Sequence, residues 1–299
     1  MTTPPEQAPE YIHERYGQHA RHRALHSKGV ICTATFTATP EAGKLTRAAH
    51  MSGDAIPTYA RFSNGGGDPT VPDYAPDVRG LAVSFHLPDG SRTDISSQTL
   101  PRYAFRDQEG FLEALRISKP SPRSLLRLPG FVVRHPRALA EVPRVQKLMS
   151  SLAPFYSRRY YAFHAYMWVD ADGGERFVRY TWLPTVDEPA PSRSEAKQRG
   201  ANFLFDDLAA HLEREPVRMQ LELQIAGEGD DPDDPSDAWP DDRERVIAGT
   251  LEVTAIEPDA DDSIVIDPMR VTDGIEPSND PVLHYRPQVY DRSHRLRSD

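Results

Sequence analysis

Apolar and polar residues alternate in many short segments of the chain, and this alternation is typical of half-buried β-strands. The clearest run lies at residues 217–225, where every second residue is apolar. Alternation, or enrichment in β-branched and aromatic residues, predicts seven strands, at residues 30–36, 59–62, 80–87, 160–169, 176–182, 217–225 and 250–256. The aspartates and glycines of residues 170–174 suit a hairpin turn between two of these strands.

Apolar residues at helical spacing lie before and between these strands. Phe111, Leu112 and Leu115 show this spacing within one segment, with three apolar positions on one helix face. The pattern predicts helices over residues 12–23, 107–118, 136–152 and 202–214. Strands with inserted helices predict an α+β fold built on an antiparallel sheet or barrel. We find no internal repeat and no heptad pattern.

The length and the charge limit the classes of protein to consider. A chain of 299 residues can form one large domain or two ordinary ones, and it is long enough for a core that encloses a cofactor. A formal net charge of -10 argues against a nucleic-acid partner, because binding to phosphates needs a basic surface. Residues 1–10 are polar and rich in proline, so we expect a flexible arm there.

Cys32 is the single cysteine, which excludes an intrachain disulfide, an iron–sulfur cluster and a thiolate zinc site. It lies in the first predicted strand, and we expect a small core residue there. The N-terminus lacks the basic and apolar succession of a signal peptide, and no apolar run approaches membrane-spanning length. We therefore expect a cytoplasmic protein with no membrane partner.

Two other segments are typical of ligand-binding loops but lack the full pattern. The acidic residues 230–237 do not follow the spacing of a calcium-binding EF-hand, so we expect a solvated loop. The three glycines at 65–67 are not followed by Lys-Ser or Lys-Thr, and we expect a turn there, not a phosphate site.

Two separate segments carry candidate chemistry. Arg286 precedes Tyr290 by one helical turn, so the guanidinium can favour an ionised phenolate, a hard ligand that suits ferric iron. The alternative is a surface pair on a C-terminal helix. Near the other end, His26 can act as an acid or base, and Arg23 can hold an anion. The alternative for His26 is a hydrogen-bonded structural residue.

A metal site is a further alternative for this N-terminal segment. His22 and His26 would share one helix face, with His19 nearby, and three imidazoles can bind a divalent ion. The surrounding arginines argue against this site, because they crowd the segment with positive charge.

Five motifs follow one another in a fixed order along the chain. The motifs are Arg23-x-x-His26-x-x-Gly29, Arg61-Phe62-Ser63, Asp77-x-Arg79-Gly80-x-Ala82-x-x-Phe85, Gly274-Ile275-Glu276-Pro277-Ser278-x-Asp280 and Arg286-x-x-x-Tyr290. Together they resemble the haem catalase family, over most of residues 12–297. The chain is short and ends just after the tyrosine motif, which resembles the catalase-related peroxidase branch, the minimal catalases.

The resemblance implies an antiparallel β-barrel of the catalase type that holds haem b with ferric iron. The wrapping arm and the C-terminal helical domain of longer catalases would be absent. We therefore expect two parts, a flexible arm over residues 1–10 and a single catalase-like haem-binding domain over residues 11–299. We leave the oligomeric state open, a homo-oligomer included.

The resemblance also implies roles for individual residues. His26 would be the acid and base, Ser63 would orient its ring, and Gln98 would contact peroxide. Tyr290 would bind the iron, and Arg286 would keep it deprotonated. Four more residues would bind the cofactor or support its site: Arg23 and Arg61 at the propionates, Phe111, and His164 near the tyrosine. A tail arginine, Arg295 or Arg297, would also reach a propionate.

One departure from the family bears on activity. Catalases carry an asparagine where this chain has Gln98, and the extra methylene displaces the amide. We therefore expect a haem peroxidase that reduces hydrogen peroxide or organic hydroperoxides with a small organic electron donor, with weak catalase activity. The alternatives are an enzyme that rearranges fatty-acid hydroperoxides, like the catalase-like allene oxide synthases, and a haem-binding protein without catalytic activity.

Overall fold

The computed structural model describes residues 4–118, 122–258, 260 and 264–298. Within them, one sheet of nine antiparallel strands forms the centre of the molecule. The strands are β1 (Gly29–Ala38), β2 (Ala55–Asn64), β3 (Arg79–His86), β4 (Arg92–Gln98), β5 (Tyr160–Val169), β6 (Glu175–Pro184), β7 (Val217–Ile225), β8 (Arg245–Ile256) and β9 (Ile275–Pro277).

The first eight strands close into a barrel. Their order is β4-β3-β2-β1-β8-β7-β6-β5, and Gln98 of β4 pairs with Tyr161 of β5 to complete the circle. The short β9 adds to β5. Closure leaves no free edge among the eight strands, which stabilises a sheet of this size. The prediction of an antiparallel barrel of the catalase type is confirmed.

Aromatic side chains fill the inside of the barrel. The ring of Phe36 meets those of Phe85 and Trp182 edge-on, with centroids 5.1 and 6.2 Å apart. Gly249, on the strand beside Phe36, leaves room for this ring, because a Cβ there would lie 2.3 Å from the ring. Cys32 is fully buried, and burial raises the pKa of its thiol to about 12, as expected for an unreactive core residue.

Helices cover parts of the barrel. Among the described residues they are α1 (Ala8–Tyr16), α2 (Pro40–Leu45), α3 (Gln108–Ser118), α4 (Pro122–Arg134), α5 (Pro136–Met149), α6 (Arg193–Arg199), α7 (Phe203–Leu212) and α8 (Pro281–Ser298). Helices α1, α3 and α8 pack together through a second apolar cluster, which includes Ile12, Leu112 and Val289. None of the helices described is both long enough and apolar enough to cross a lipid bilayer.

The N-terminal segment differs from the expectation. Residues 5–7 form a short 3-10 helix, and α1 begins at Ala8, which is buried against α3; the flexible arm over residues 1–10 stays a prediction. The helix ends at Tyr16 and does not continue to residue 23, because Gly17 takes a positive φ of 87°. Bends and turns follow up to residue 28.

Two strands were not predicted, and both are weak in sequence signal. Strand β4 has polar residues on both faces, so it shows little hydrophobic alternation. Strand β9 has three residues only. Strands β2 and β8 also begin earlier than expected, at Ala55 and Arg245.

Arginines hold the acidic loop in place: Arg243 pairs with Asp230, and Arg179 binds the backbone of the loop. Arg179 of β6 is buried, and its guanidinium donates to the carbonyl oxygens of Asp237 and Asp234, at 2.6 and 2.9 Å. Asp234 is itself buried. The expectation of a solvated loop was therefore only partly right, because backbone carbonyl oxygens of this segment accept hydrogen bonds from a buried arginine. Residues 65–67 form the expected bend after β2, and residues 170–174 the expected hairpin turn.

Candidate active site

A cavity of about 420 Å³ lies between one end of the barrel and helices α1, α3 and α8. It joins residues that are far apart in sequence. Eight of the predicted site residues line it: Arg23, His26, Arg61, Ser63, Gln98, Phe111, Arg286 and Tyr290. Most of the remaining lining is apolar, and the three helices contribute Ile12, Leu112, Leu115, Val282 and Val289 to it. The size is in the usual range for a small-molecule site.

His26 is held by three hydrogen bonds. Its N–H donates to Gly65 at 3.0 Å, its carbonyl oxygen accepts from Arg61 at 3.0 Å, and its ring Nδ1 is 2.9 Å from Ser63 Oγ. The backbone has a φ of +53°, which is uncommon for a residue with a side chain. Such strain persists where surrounding contacts determine the conformation, and it is frequent at functional sites.

Glycine is required beside this histidine. A Cβ on Gly80 would lie 2.7 Å from the His26 ring and 2.8 Å from Ser63 Oγ. A Cβ on Gly67 would lie 2.3 Å from the carbonyl oxygen of Ala24, in the loop that carries His26. The ring therefore packs directly on the backbone of β3, and its position depends on the absence of a side chain there.

The imidazole of His26 is uncharged at neutral pH. Burial, together with the positive charges of Arg61, Arg23 and Arg286, lowers the pKa of His26 to about 3. A neutral ring with one nitrogen bonded to a hydroxyl has its other nitrogen available for proton transfer.

Arg286 and Tyr290 also line the cavity, and both lie on α8. The guanidinium donates to the phenol oxygen at 3.3 Å, as the four-residue spacing predicts. Burial disfavours the charge on Arg286, but the Tyr290 phenol and other acidic groups around it raise its pKa above the ordinary value. The guanidinium also stacks over Phe163, 5.5 Å from the ring centroid. A permanent cation thus lies beside the phenol.

His164 lies behind this pair and does not line the cavity. It is buried on β5, and its Nδ1 is 2.5 Å from a carboxylate oxygen of Asp280. The other carboxylate oxygen accepts from the N–H groups of Val282 and Leu283, so Asp280 also caps the N-terminus of α8. Burial and the charge of Arg286 lower the pKa of His164 to about 4. One carboxylate therefore connects β5 to the helix of Tyr290.

The arginines expected at the propionates already contact protein atoms. Arg61 is buried and donates to His26, as described above, and Arg23 donates to the carbonyl oxygen of Ile264 at 2.6 Å. Both guanidinium groups nevertheless line the cavity. Gln98 lies at the end of β4 and pairs with Gly80, so its position is beside His26.

The structure does not bring Arg295 to the cavity. This residue follows Tyr290 by five positions, which places it on a different face of the helix. Its side chain is exposed and pairs with Asp291. The side chain of Arg297, the other tail candidate, lies outside the described part of the structure.

The alternative of a three-histidine metal site is wrong, because the segment is not helical beyond Tyr16. His19 bonds to the carbonyl oxygen of Tyr16, and His22 to that of Ser27. His26 turns to Ser63 instead. Over the described ranges, no cluster of histidine, cysteine, aspartate or glutamate has a metal-binding arrangement.

Four aromatic residues of the cavity were not anticipated: Tyr16, Tyr103, Phe163 and Tyr285. Tyr103 and Phe163 line it, with ring centroids 5.4 Å apart, and Tyr103 also contacts Phe111 at 6.0 Å. Burial raises the pKa of the Tyr103 phenol, so the group is neutral. The sequence offered one indication for Phe163, namely that it directly precedes His164, a predicted site residue.

Comparison with known proteins agrees with the resemblance. A sequence model of the catalase family matches residues 7–299. The chain is 43% identical to a catalase-related peroxidase of Mycolicibacterium paratuberculosis, over 98% of this chain and 95% of the relative. It is 32% identical to a catalase-related peroxidase of Synechococcus elongatus, over 98% and 88%.

Longer catalases share the fold. The structure of a bacterial catalase superposes with a TM-score of 0.81 at 22% identity, and the match covers 94% of this chain but only 58% of that one. From the match to the family model and the relatives, we conclude that the chain belongs to the catalase family of peroxide-acting oxidoreductases, in its catalase-related peroxidase branch.

Proposed function

We propose that the chain is a haem b peroxidase that reduces hydrogen peroxide and organic hydroperoxides with a small organic electron donor, and that its catalase activity is weak. The observation that carries this proposal is that His26 and the Arg286–Tyr290 pair, from opposite ends of the chain, line one cavity. An acid–base group and an anionic oxygen ligand facing one space are what peroxide reduction at iron requires.

The residues around the cavity suit haem with ferric iron. Tyr290 would be the iron ligand, and the Arg286 guanidinium, which donates to its oxygen, would stabilise the iron-bound phenolate. Arg23 and Arg61 would hold the propionates, because planar guanidinium groups suit carboxylates. Phe111 and the apolar helix residues would contact the porphyrin faces. When bound, the haem supplies the electrons that cleave the O–O bond.

His26 would move the proton in this reaction. With Nδ1 donating to Ser63 Oγ, the free Nε2 accepts a proton from one peroxide oxygen and returns it to the other, which leaves as water or as an alcohol. The low pKa of His26 keeps the ring neutral and ready to accept. Gln98, beside Gly80, would hydrogen-bond to the peroxide.

Behind Tyr290, His164 and Asp280 would keep Arg286 and the helix in place. Nε2 of His164 is buried and has no hydrogen-bond partner among the described residues. Since the Asp280 carboxylate accepts from Nδ1–H, this nitrogen is an acceptor that faces the positive charge of Arg286.

Two variants of the full chain test the proposal through opposite signatures. His26→Ala should lower peroxide turnover by about 100-fold or more, the usual range for loss of acid–base catalysis, and should leave the haem absorption band in place. Tyr290→Phe should shift or abolish that band, because a benzyl side chain cannot bind iron. Unchanged turnover in the first variant, or an unaltered spectrum in the second, contradicts the proposal.

The wild-type protein distinguishes the other two candidate activities. A hydroperoxide-rearranging enzyme converts a lipid hydroperoxide without added electron donor, whereas a peroxidase consumes the donor in proportion to peroxide. A haem-binding protein without catalytic activity would show the absorption band and negligible turnover. Donor-dependent turnover supports the proposed reaction, and either other outcome contradicts it.

A further inference from the structure

Exposed apolar side chains are concentrated on two neighbouring helices. Seven large apolar side chains are exposed among the described residues. Five of them lie on α4 and α5: Leu126, Leu128, Val132, Val133 and Val142. The other two, Val71 and Val186, are isolated in loops. A cluster of this kind marks an interaction surface more often than chance exposure does.

The two most exposed apolar residues of α4 share one helix face, whereas Leu128 and Val132, on another side, are 43% and 37% exposed. Leu126 and Val133 are two turns apart on one face, and they are 83% and 80% exposed. The opposite face packs on the protein, since the buried Phe131 lies 6.1 Å from Phe105 between ring centroids. Helix α4 thus has apolar residues on the side that packs on the protein and also on the side that faces solvent. The second side has no partner among the described residues.

Arginines border this outer face. Arg127 and Arg134 follow Leu126 and Val133 by one position each, so they form one edge of the apolar strip. Both are exposed, and Arg134 also contacts Glu113 of α3. An apolar strip with a basic edge is typical of helices that lie in the surface of a bilayer.

The charge of this region is opposite to that of the whole chain. Residues 116–147 contain eight lysines and arginines and a single acidic residue, Glu141, whereas the chain has a net charge of -10. Anionic lipid head groups attract such a segment. A second copy of the chain suits it less well, because a two-fold contact would bring the same basic edges together.

We propose that the outer face of α4, with Val142 of α5, docks onto an anionic lipid bilayer as an interfacial helix. A helix that lies in the membrane plane needs no apolar run of spanning length, which is why the sequence pattern suggested no membrane partner. Helix α4 lies against α3, where Arg134 pairs with Glu113, and α3 carries Phe111, Leu112 and Leu115 of the cavity lining. Docking would thus place the bilayer one helix away from the cavity.

The test is co-sedimentation of the full, haem-loaded chain with lipid vesicles. We expect binding to vesicles of phosphatidylcholine mixed with phosphatidylglycerol, and much weaker binding to vesicles of phosphatidylcholine alone. The double variant Leu126→Gln/Val133→Gln should lose about tenfold or more in partitioning, because it removes apolar area from the interface. Arg127→Gln should lose roughly fivefold, with a weaker dependence on salt.

The matched control is Val71→Gln/Val186→Gln, which makes the same chemical change at exposed sites outside the cluster. It should bind vesicles like the wild type. Absence of binding to anionic vesicles overturns the proposal, and so does equal binding by the two double variants. If the wild type is an oligomer in solution and Leu126→Gln/Val133→Gln converts it to a monomer, the face is an interface between copies, which also overturns the proposal.

Discussion

The residues that surround His26 come from strands of the barrel, whereas Arg286 and Tyr290 come from one helix, α8. On the strand side, Gly29, Ser63, Gly80 and Gln98 lie directly opposite one another on β1, β2, β3 and β4. They form one row across the barrel, next to the His26 ring. On the helix side, Arg286 and Tyr290 meet because they are one turn apart.

The difference shows which contacts are local and which depend on the whole fold. A helix brings residues four apart together wherever it forms, so the phenol and its guanidinium need only α8. A row across four strands requires the correct register in three pairings, and a shift by one residue would turn each side chain to the other face. The surroundings of His26 should therefore be sensitive to small changes in the sheet, and the position of Tyr290 to the anchoring of its helix.

Gly80→Ala should have the largest effect on the strand side. Its Cβ would overlap the His26 ring and Ser63 Oγ, and the backbone of β3 is held on both sides by pairing. Displacement of the imidazole should lower peroxide turnover by about 100-fold while the haem band remains. Gly66→Ala is the control, because its Cβ would be 3.4 Å from Asp77 at the closest. Equal activity in the two variants would show that the ring tolerates displacement.

Asp280→Ala should have the largest effect on the helix side. It removes the cap of α8 and leaves buried His164 without its partner, and together these changes should lower the free energy of unfolding by about 2 to 3 kcal/mol. Urea denaturation measures this change. Asp280→Asn keeps a capping oxygen and should lose less.

The control for this variant lies on the same helix. Asp291 is exposed and contacts Arg295, so Asp291→Ala should change the stability by less than about 0.5 kcal/mol. If Asp280→Ala and Asp291→Ala have the same stability, the carboxylate does not anchor α8.

Acid should lower the free energy of unfolding through buried histidines, and His26 and His164 should contribute to a similar extent. His26 and His164 have a pKa of about 3 and about 4 in the folded protein, and His50 in the barrel core has a pKa of about 3, in each case mainly because of burial. Since the ordinary value is near 6.5, the unfolded chain binds more protons below that pH. Stability should therefore fall as the pH decreases from about 6.5, by roughly 1 kcal/mol per pH unit for each histidine.

The variant His50→Leu separates the site from the core. The variant removes the histidine of the barrel core. The slope of the free energy of unfolding against pH should therefore fall by about 1 kcal/mol per pH unit, and the slope contributed by His26 and His164 should remain. Denaturant unfolding between pH 7 and pH 5 measures the slope. A stability that does not change over this range would mean that the buried rings accept protons without unfolding.

Gln98→Asn should have the smallest effect. It shortens the side chain beside Gly80 by one methylene and introduces the residue that catalases carry. We expect oxygen release from hydrogen peroxide to rise a few-fold relative to donor oxidation, since the amide moves by about one bond length. Gln108→Asn, at another cavity residue, is the control. A rise in both variants would point to general loosening of the cavity.

The comparison also explains which parts of the site were predictable. The Arg286–Tyr290 contact follows from spacing within one helix, and the resemblance to catalases supplied His26, Ser63 and Gln98 in order. The same local rule failed at His19, His22 and His26, because Gly17 ends α1 before them. For Arg295, the resemblance predicted a propionate contact, whereas the structure leaves its side chain exposed and paired with Asp291.

Local pattern was sufficient for most strands, for the hairpin at residues 170–174 and for the types of residue that can handle a peroxide. It was insufficient for β4, for the row across the barrel, for the second role of Asp280 and for the exposed face of α4. Alternation and helical period report on neighbours along the chain, whereas pairing register, burial and exposure result from closure of the barrel and packing of helices onto it. Those long-range contacts exist only in the folded protein, and they bring His26 and Tyr290 to one cavity.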